Sequence, residues 1–163
     1  MKLQRTIFTA FLMFVVDAFV FNQFTIAGAT LFIGAPVLLV KLFRDRKDRD
    51  RVRLLLAKAG IYALMIILVF AASALNNMVA EERAKDVIAA CERFKDKNGH
   101  YPAQLSELVP DFLAKVPGAK YSLVGSDFRY IVRQDSHSLM YVTVPPFGRK
   151  YYGFEKKEWV WAD

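Results

Sequence analysis

The sequence predicts an α+β membrane protein in which N-terminal transmembrane helices precede a long helix that packs on a small antiparallel sheet. Residues 7–40 carry no charge apart from Asp17, and residues 59–79 carry none. A basic segment, 41–58, separates these two apolar blocks, and from residue 120 the hydrophobic period changes from helical to two. Long uncharged runs are typical of membrane spans, and alternation is typical of strands.

The first apolar block is too long for one membrane span. Its 34 residues would form a helix of about 51 Å, whereas the hydrocarbon core of a bilayer is about 30 Å thick. Asn22 and Gln23 interrupt the block, so we predict a hairpin of two spans, 6–21 and 25–43, within residues 1–43. A single tilted or broken helix is the alternative. Asp17 lies in the first span, where it indicates either a functional group or a buried, hydrogen-bonded carboxyl group.

The net charge of +7 is concentrated in one short segment. Residues 41–58 contain eight basic and three acidic side chains, whereas residues 80–163 contain 13 and 12. A nucleic-acid-binding surface spreads its cations over a folded face, so this distribution argues against nucleic acid as a partner. The positive-inside rule instead predicts that residues 44–58 form a basic cytoplasmic loop. The C-terminal domain is then expected outside the cytoplasm, which in a Gram-negative bacterium is the periplasm.

A single helix is predicted from residue 59 to residue 98, first through the bilayer and then through water. After the span, apolar residues recur at spacings of three and four, which is an amphipathic pattern: Ala84, Val87, Ile88, Cys91 and Phe94. Asn98 and Gly99 are typical of a left-handed C-cap. We expect the apolar stripe to pack on the domain formed by residues 99–163.

Residues 99–163 are predicted to form a small α+β domain. A second, shorter amphipathic helix, interrupted or restarted at Pro110, is indicated by five apolar residues: Leu105, Leu108, Val109, Phe112 and Leu113. From Lys120 onward, alternation and turn residues predict an antiparallel meander of five strands, at 121–124, 128–133, 139–144, 149–154 and 158–161. One face of this sheet is expected to be buried under the long helix.

The sequence offers little support for catalysis or metal binding. His100 and His137 are the only histidines, and neither lies in a metal-ligand spacing. Asp135, Ser136 and His137 are adjacent in the chain, whereas a catalytic triad is assembled from separated segments. Cys91 is the only cysteine, which excludes an intrachain disulfide. We therefore predict a protein that is not an enzyme, with no catalytic residue, metal or cofactor.

Candidate residues for contact with a partner lie in three places. A small-residue patch near the end of the last span suits close helix approach in a bilayer, to a partner or to the protein's own first spans: Ala71, Ala72, Ser73 and Ala74. On the outer half of the long helix the candidates are Val87 and Cys91. Among the strands, aromatic side chains are denser than a small core requires, and the candidates are Phe147, Tyr151, Trp159 and Trp161. Most of the aromatic cluster is expected to be core, and part of it a contact surface.

The end of the long helix resembles type IV pilins and type II secretion pseudopilins. Residues 84–90 lead into residues 97–102 (Lys-Asn-Gly-His-Tyr-Pro) and 105–108 (Leu-Ser-Glu-Leu). This order is similar to the pseudopilin pattern of a helix that ends in Asn-Gly-x-Tyr-Pro before Leu-x-x-Leu. Residues 58–61 (Lys-Ala-Gly-Ile), before an apolar run, are also similar to a prepilin-peptidase site. The resemblance covers residues 59–135.

The chain departs from the pilin pattern in two respects. Pilin subunits carry Glu at the fifth position after the cleavage Gly, where this chain has Met65, and the leader would be 60 residues long with membrane spans of its own. The chain therefore resembles the type IV pilin accessory proteins of the bacterial inner membrane. The resemblance implies that it binds or stabilises pilin, or another pilus-assembly membrane protein, beside the lipid bilayer. The alternatives are a membrane-anchored minor pilin or pseudopilin-like component, and a membrane-anchored domain of unrelated role.

Overall fold

The computed structural model describes residues 2–21, 24–134, 136–144 and 148–162, apart from the side chains of Lys2 and Val144. It is an α+β structure with N-terminal apolar helices, a long helix and a small antiparallel sheet of four strands, which confirms the predicted fold class at that level. The chain divides into two compact units, Met1–Ser73 and Ala74–Asp163.

Apolar helices dominate the first unit. Helix α1 (Lys2–Val15) continues into a π-helical turn (Val16–Phe21), and α2 (Thr25–Ala29) continues through a π-helical turn (Thr30–Gly34) into α3 (Ala35–Arg44). The predicted spans 6–21 and 25–43 coincide with these two segments, while Asn22 and Gln23 lie outside the described residues. Among the described residues, three helical segments are long and apolar enough to cross a membrane: Leu3–Phe21, Thr25–Arg44 and Arg49–Asn98.

Asp17 joins the first two helical segments. Its side chain is buried, and its Oδ2 accepts a hydrogen bond of 2.7 Å from the backbone N–H of Ala27. Phe24, the residue before α2, has a left-handed conformation with φ 54° and supplies no side-chain cap. The carboxylate therefore satisfies one of the N–H groups that every helix leaves free in its first turn. This geometry supports the interpretation of Asp17 as a buried, hydrogen-bonded carboxyl group.

Helix α4 (Arg49–Asn98) is 50 residues long and begins ten positions before the predicted start at residue 59. The Oδ1 of Asp48 accepts a hydrogen bond of 3.0 Å from the backbone N–H of Arg51, which caps the first turn. Asp50 lies in that turn, where the helix dipole favours a negative charge. The predicted end of the helix is correct, since Gly99 follows it with φ +81°.

The prediction of a second amphipathic helix is wrong. The structure forms only a short 3₁₀ helix, Leu105–Leu108, and Val109 is extended with φ −102° and ψ 136°. Pro110 explains the difference, because a proline disfavours helical dihedral angles in the residue before it. Phe112 and Leu113 nevertheless pack against the core of the second unit, as their apolar pattern required.

Four of the five predicted strands are present, as β1 (Arg129–Arg133), β2 (Ser136–Val144), β3 (Gly148–Gly153) and β4 (Glu158–Ala162). They pair antiparallel in the order β1-β2-β3-β4, which is a meander. The predicted strand at 121–124 is absent from the structure. The backbone N–H of Tyr121 donates instead to Oδ1 of Asn76 on α4, at 3.1 Å, and the N–H groups of Ala119 and Lys120 both donate to the carbonyl of Ser126.

The core of the second unit lies between α4 and one face of the sheet. The helix contributes mainly small residues, and the sheet and the loops contribute larger ones. The fully buried members include Ala84, Val87, Cys91, Leu108, Leu139 and Phe154. The amphipathic stripe predicted for the outer half of α4 therefore faces the sheet.

Candidate interaction surfaces

The membrane-length part of α4 has one packed face and one exposed face. Met65 and Val69 are 3% and 1% exposed and form a cluster with Ala10 and Ala27. An adjoining stripe at spacings of three and four is exposed, and we call it the free face of α4: Leu64, Ile67, Leu68 and Ala71. A continuous exposed apolar stripe of this kind suits contact with lipid or with another helix.

The residues of the small-residue patch differ in their exposure. Ala71 and Ala74 are exposed, Ala72 is half-buried, and Ser73 is only 2% exposed. Ala71 is thus the patch residue that lies on the free face of α4, and Ser73 is removed from the candidate contacts because it is already covered.

Val87 and Cys91 are not available to a partner. Both are 0% exposed and belong to the core between α4 and the sheet. Burial raises the pKa of the Cys91 thiol to about 12, and the nearby carboxylate of Glu92 adds to the effect. The candidate contacts at these two positions are therefore wrong: their apolar spacing reflects the protein's own core.

The register of the strands separates the sheet into two faces, because cross-strand partners share a face. One row runs through all four strands as Arg129, Met140, Tyr151 and Val160. The neighbouring row that contains Leu139 belongs to the core under α4. The row from Arg129 to Val160 therefore lies on the opposite side, which we call the outer face of the sheet.

The outer face combines an apolar centre with a basic rim. Met140 is 4% exposed, Tyr151 and Val142 are half-buried, and Val160 is 50% exposed. Three arginines share this face, all of them exposed: Arg129, Arg133 and Arg149. Glu158 is the one acidic residue at an outer-face position of the described strands. An apolar centre with charge confined to the rim is typical of protein interfaces.

The remaining aromatic candidates lie on the other side of the sheet. Trp159 is half-buried and packs against the core, whereas Trp161 is 64% exposed at the edge. The Nζ of Lys150 lies 4.9 Å and 5.5 Å from the centroids of these two rings and 3.1 Å from the Oε2 of Glu81 on α4. This cation is fixed within the protein. Phe147 lies outside the described residues.

A cluster of hydrogen-bonded polar side chains stabilises the turn after β3. The Oε1 of Glu155 accepts hydrogen bonds from the backbone N–H of His137, at 2.9 Å, and from its Nδ1, at 2.8 Å. Burial favours the neutral acid, but these hydrogen bonds outweigh it and lower the pKa of Glu155. The hydroxyl of Tyr101 donates to Glu92 at 3.0 Å, and burial together with that carboxylate raises the pKa of Tyr101.

The hydrogen bonds of this cluster join parts of the same chain, which is typical of a structural role. Among the described residues, no group of three or more His, Cys, Asp or Glu side chains is placed to hold a metal ion. The absence of catalysis and of a cofactor remains a prediction.

Sequence patterns did not identify two parts of these surfaces. Aromatic density does not indicate Arg129 and Val160, although strict alternation within β1 and β4 places them on one face. The guanidinium of Arg83 donates to the carbonyl of Gly118 at 2.8 Å and lies 4.2 Å from the ring centroid of Tyr121. Nothing local in the sequence indicates this contact.

Comparison of the chain with protein-family models, curated proteins and solved structures finds no match.

Proposed function

We propose that this chain is an inner-membrane accessory protein of type IV pilus assembly that binds or stabilises pilin before or during polymerisation. The observation that carries the proposal is α4, one unbroken helix of 50 residues. Its first half has an exposed apolar face, and its second half packs a stripe of side chains on an antiparallel meander. This resembles the pilin architecture, and a helix of this kind offers pilin a partner with its own packing geometry.

The basic segment supports a defined orientation. Eight cations lie between Lys41 and Lys58, around the turn that joins α3 to α4. By the positive-inside rule this turn lies in the cytoplasm, so α4 carries the second unit to the periplasmic side.

Two features of α4 support retention in the membrane over release into a filament. Gly60 lies in the interior of the helix, whereas loop tips are the preferred sites of proteolytic cleavage. Met65, at the position where pilins carry Glu, packs with Ala10, Ala27 and Val69. Cleavage after Gly60 would leave Met65 and Val69 on a different chain from the helices on which they pack.

Two surfaces are available to pilin in this proposal. The free face of α4 meets the membrane span of pilin, with Ala71 allowing close approach of the two backbones. The outer face of the sheet meets the soluble domain, and its rim of arginines favours an acidic partner surface.

Deletion of the gene tests the proposal directly. We expect the deletion strain to lose surface pili and to accumulate less pilin, and the wild-type gene to restore both. Unchanged piliation contradicts the proposal. N-terminal sequencing of the purified protein separates the alternative: a mature chain that begins at Ile61 establishes a minor pilin or pseudopilin-like component.

Site-specific crosslinking tests the outer face. Because Cys91 is buried, Val160→Cys introduces the one accessible thiol of the described residues. We expect a thiol-to-amine crosslinker to join this variant to pilin in membranes. Leu123→Cys is the matched control, since Leu123 is an 81% exposed apolar residue in a loop. Equal crosslinking of both variants, or none by either, argues against this surface.

A further inference from the structure

The first unit contains an open apolar groove with a cavity volume of about 720 Å³. One wall is formed by α2, α3 and the turn between them, and the other by the part of α4 around Leu55 to Ile66. No residue of α3 or of the Thr30–Gly34 turn is buried. The protein therefore leaves both walls uncovered on the side that faces the groove.

Two lysines are the only charged residues that line this groove in the described part of the chain. They are Lys41, near the end of α3, and Lys58, in the early part of α4. The other lining side chains include Ile33, Val37 and Ile66. The chain reverses direction at residues 45–48, so the lysines lie toward the turn end of the two antiparallel walls and Ile66 lies toward the other end.

The lysines are not neutralised by the nearby acids. Asp45 forms ion pairs with Arg44 and Arg51, at 3.4 and 3.9 Å, and Asp48 forms one with Arg51 at 2.9 Å. Among the described residues, no carboxylate lies within 4.0 Å of the ammonium group of Lys41 or Lys58. An apolar groove with unneutralised positive charge at one end matches a ligand with an apolar chain and an anionic head.

We propose that this groove binds one anionic phospholipid, with an acyl chain between α3 and α4 and the phosphate at Lys41 and Lys58. The inference rests on the membrane location in the proposed function and not on a role in pilus assembly. Lysine stems extend along apolar surface while their ammonium groups reach the headgroup region, and basic pockets between helices on the cytoplasmic side suit anionic headgroups.

The size of the groove suits one acyl chain. The groove offers about 720 Å³, which falls within the range of about 300–1,000 Å³ for small-molecule sites.

Native mass spectrometry of the full chain, released from nanodiscs of equal parts phosphatidylglycerol and phosphatidylcholine, tests the site. We expect one phosphatidylglycerol to remain bound. The double variant Lys41→Gln/Lys58→Gln should lower the ratio of retained phosphatidylglycerol to retained phosphatidylcholine about 30-fold. Each basic residue near an anionic headgroup contributes a factor of about five to this ratio. The control Lys47→Gln/Arg53→Gln removes the same charge from residues that do not line the groove. Equal loss in both double variants overturns the proposal, because the effect is then one of general surface charge.

A second variant tests the groove itself. Ala63→Phe fills it from α4 and should reduce retention of both lipids, whereas Leu64→Phe, on the free face of α4, should not. Undiminished lipid retention in Ala63→Phe overturns the proposal. A wild-type dimer that becomes a monomer in Ala63→Phe also overturns it, because a second copy then occupies the groove. Piliation is not a readout here, so failure of the pilus proposal leaves these outcomes unchanged.

Discussion

The ammonium group of Lys120 lies inside the second unit, where the side chain is only 6% exposed. Its Nζ donates one hydrogen bond of 3.1 Å to the carbonyl of Thr143. Burial disfavours the charged form and lowers the pKa of Lys120 from 10.5 to about 8. The unfolded chain keeps the higher pKa, so protonation of Lys120 opposes folding, and we expect the stability of this unit to depend on pH.

The sign and size follow from linkage. Between pH 8 and pH 10.5 the unfolded state binds more protons than the folded state, so this lysine makes the free energy of unfolding rise with pH. For the two pKa values of Lys120, the rise from pH 7 to pH 9 is about 1 kcal/mol. Below pH 7 the contribution is nearly constant, because the lysine is charged in both states.

Comparison with Lys120→Met isolates this effect. Other groups oppose it at higher pH, since burial also raises the pKa values of Cys91 and Tyr141, but their contributions cancel between wild type and variant. We expect the difference in unfolding free energy, variant minus wild type, to fall by about 1 kcal/mol from pH 7 to pH 9.

Denaturant unfolding of the full chain in detergent measures this difference. Trp159 and Trp161 are the only tryptophans, so tryptophan fluorescence reports on the second unit. Lys156→Met is the control, because that side chain is 80% exposed, and its difference should not change with pH. If the difference for Lys120→Met is constant from pH 7 to pH 9, or rises, the burial argument for Lys120 is refuted.

Three further predictions concern stability and reactivity. Gly99→Ala should destabilise the protein by about 1 kcal/mol, because Gly99 has φ +81°. Gly60→Ala, in the interior of α4, should stabilise it by about 0.5–1 kcal/mol, because the added methyl group meets nothing within 4 Å apart from its chain neighbours and the adjacent helix backbone. Thermal unfolding by circular dichroism measures both, and equal effects contradict the reasoning. Leu139→Ala should lower the free energy of unfolding by about 2–5 kcal/mol, measured with denaturant, because the residue is 0% exposed. Val160→Ala should lower it by less than about 1 kcal/mol. Similar values for the two variants would mean that the outer face is covered. Cys91 should react with a maleimide only after unfolding, because it is buried with a raised pKa, and rapid labelling of the native chain argues against its place in the core.

Local chemistry was sufficient where a boundary depends on adjacent residues. Asn98 and Gly99 predicted the end of α4 to the residue, because a left-handed C-cap needs only the glycine itself. Alternation predicted four strands, because it too depends only on neighbouring residues in the chain. Prediction failed at residues 121–124, where the backbone N–H of Tyr121 bonds to Asn76, which is 45 positions away in the chain. A pattern within one segment carries no information about such a partner.

The start of α4 was misplaced for a different reason. The end of the charged segment predicts where the chain enters the membrane, and this position differs from the first residue of the helix. Arginine, leucine, alanine and lysine are all good helix formers, so residues 49–58 extend the helix into the basic segment. A topology rule reports where a chain meets lipid, and says little about where its helix begins.

The contact candidates were only partly predictable, because an apolar stripe does not reveal what covers it. Val87 and Cys91 have the spacing of an interface and lie in the protein's own core. Ala71 and Tyr151, with the same kind of sequence signal, lie on surfaces that remain accessible. The outer face became evident only through the strand register, which relates Arg129 to Val160 across three pairings.

The packing of α4 on the sheet also explains the density of aromatic residues. Ala80, Ala84 and Ala90 are 0% exposed, so the helix brings little side-chain volume to the core. Protein interiors are filled to nearly crystalline density, and the sheet side must therefore supply the volume, as Tyr141 and Phe154 do. Aromatic density in the strands is thus a consequence of a small-residue helix and is not by itself evidence of a binding surface. The outer face is the better candidate for a partner surface, because apolar side chains stay accessible there after this core is complete.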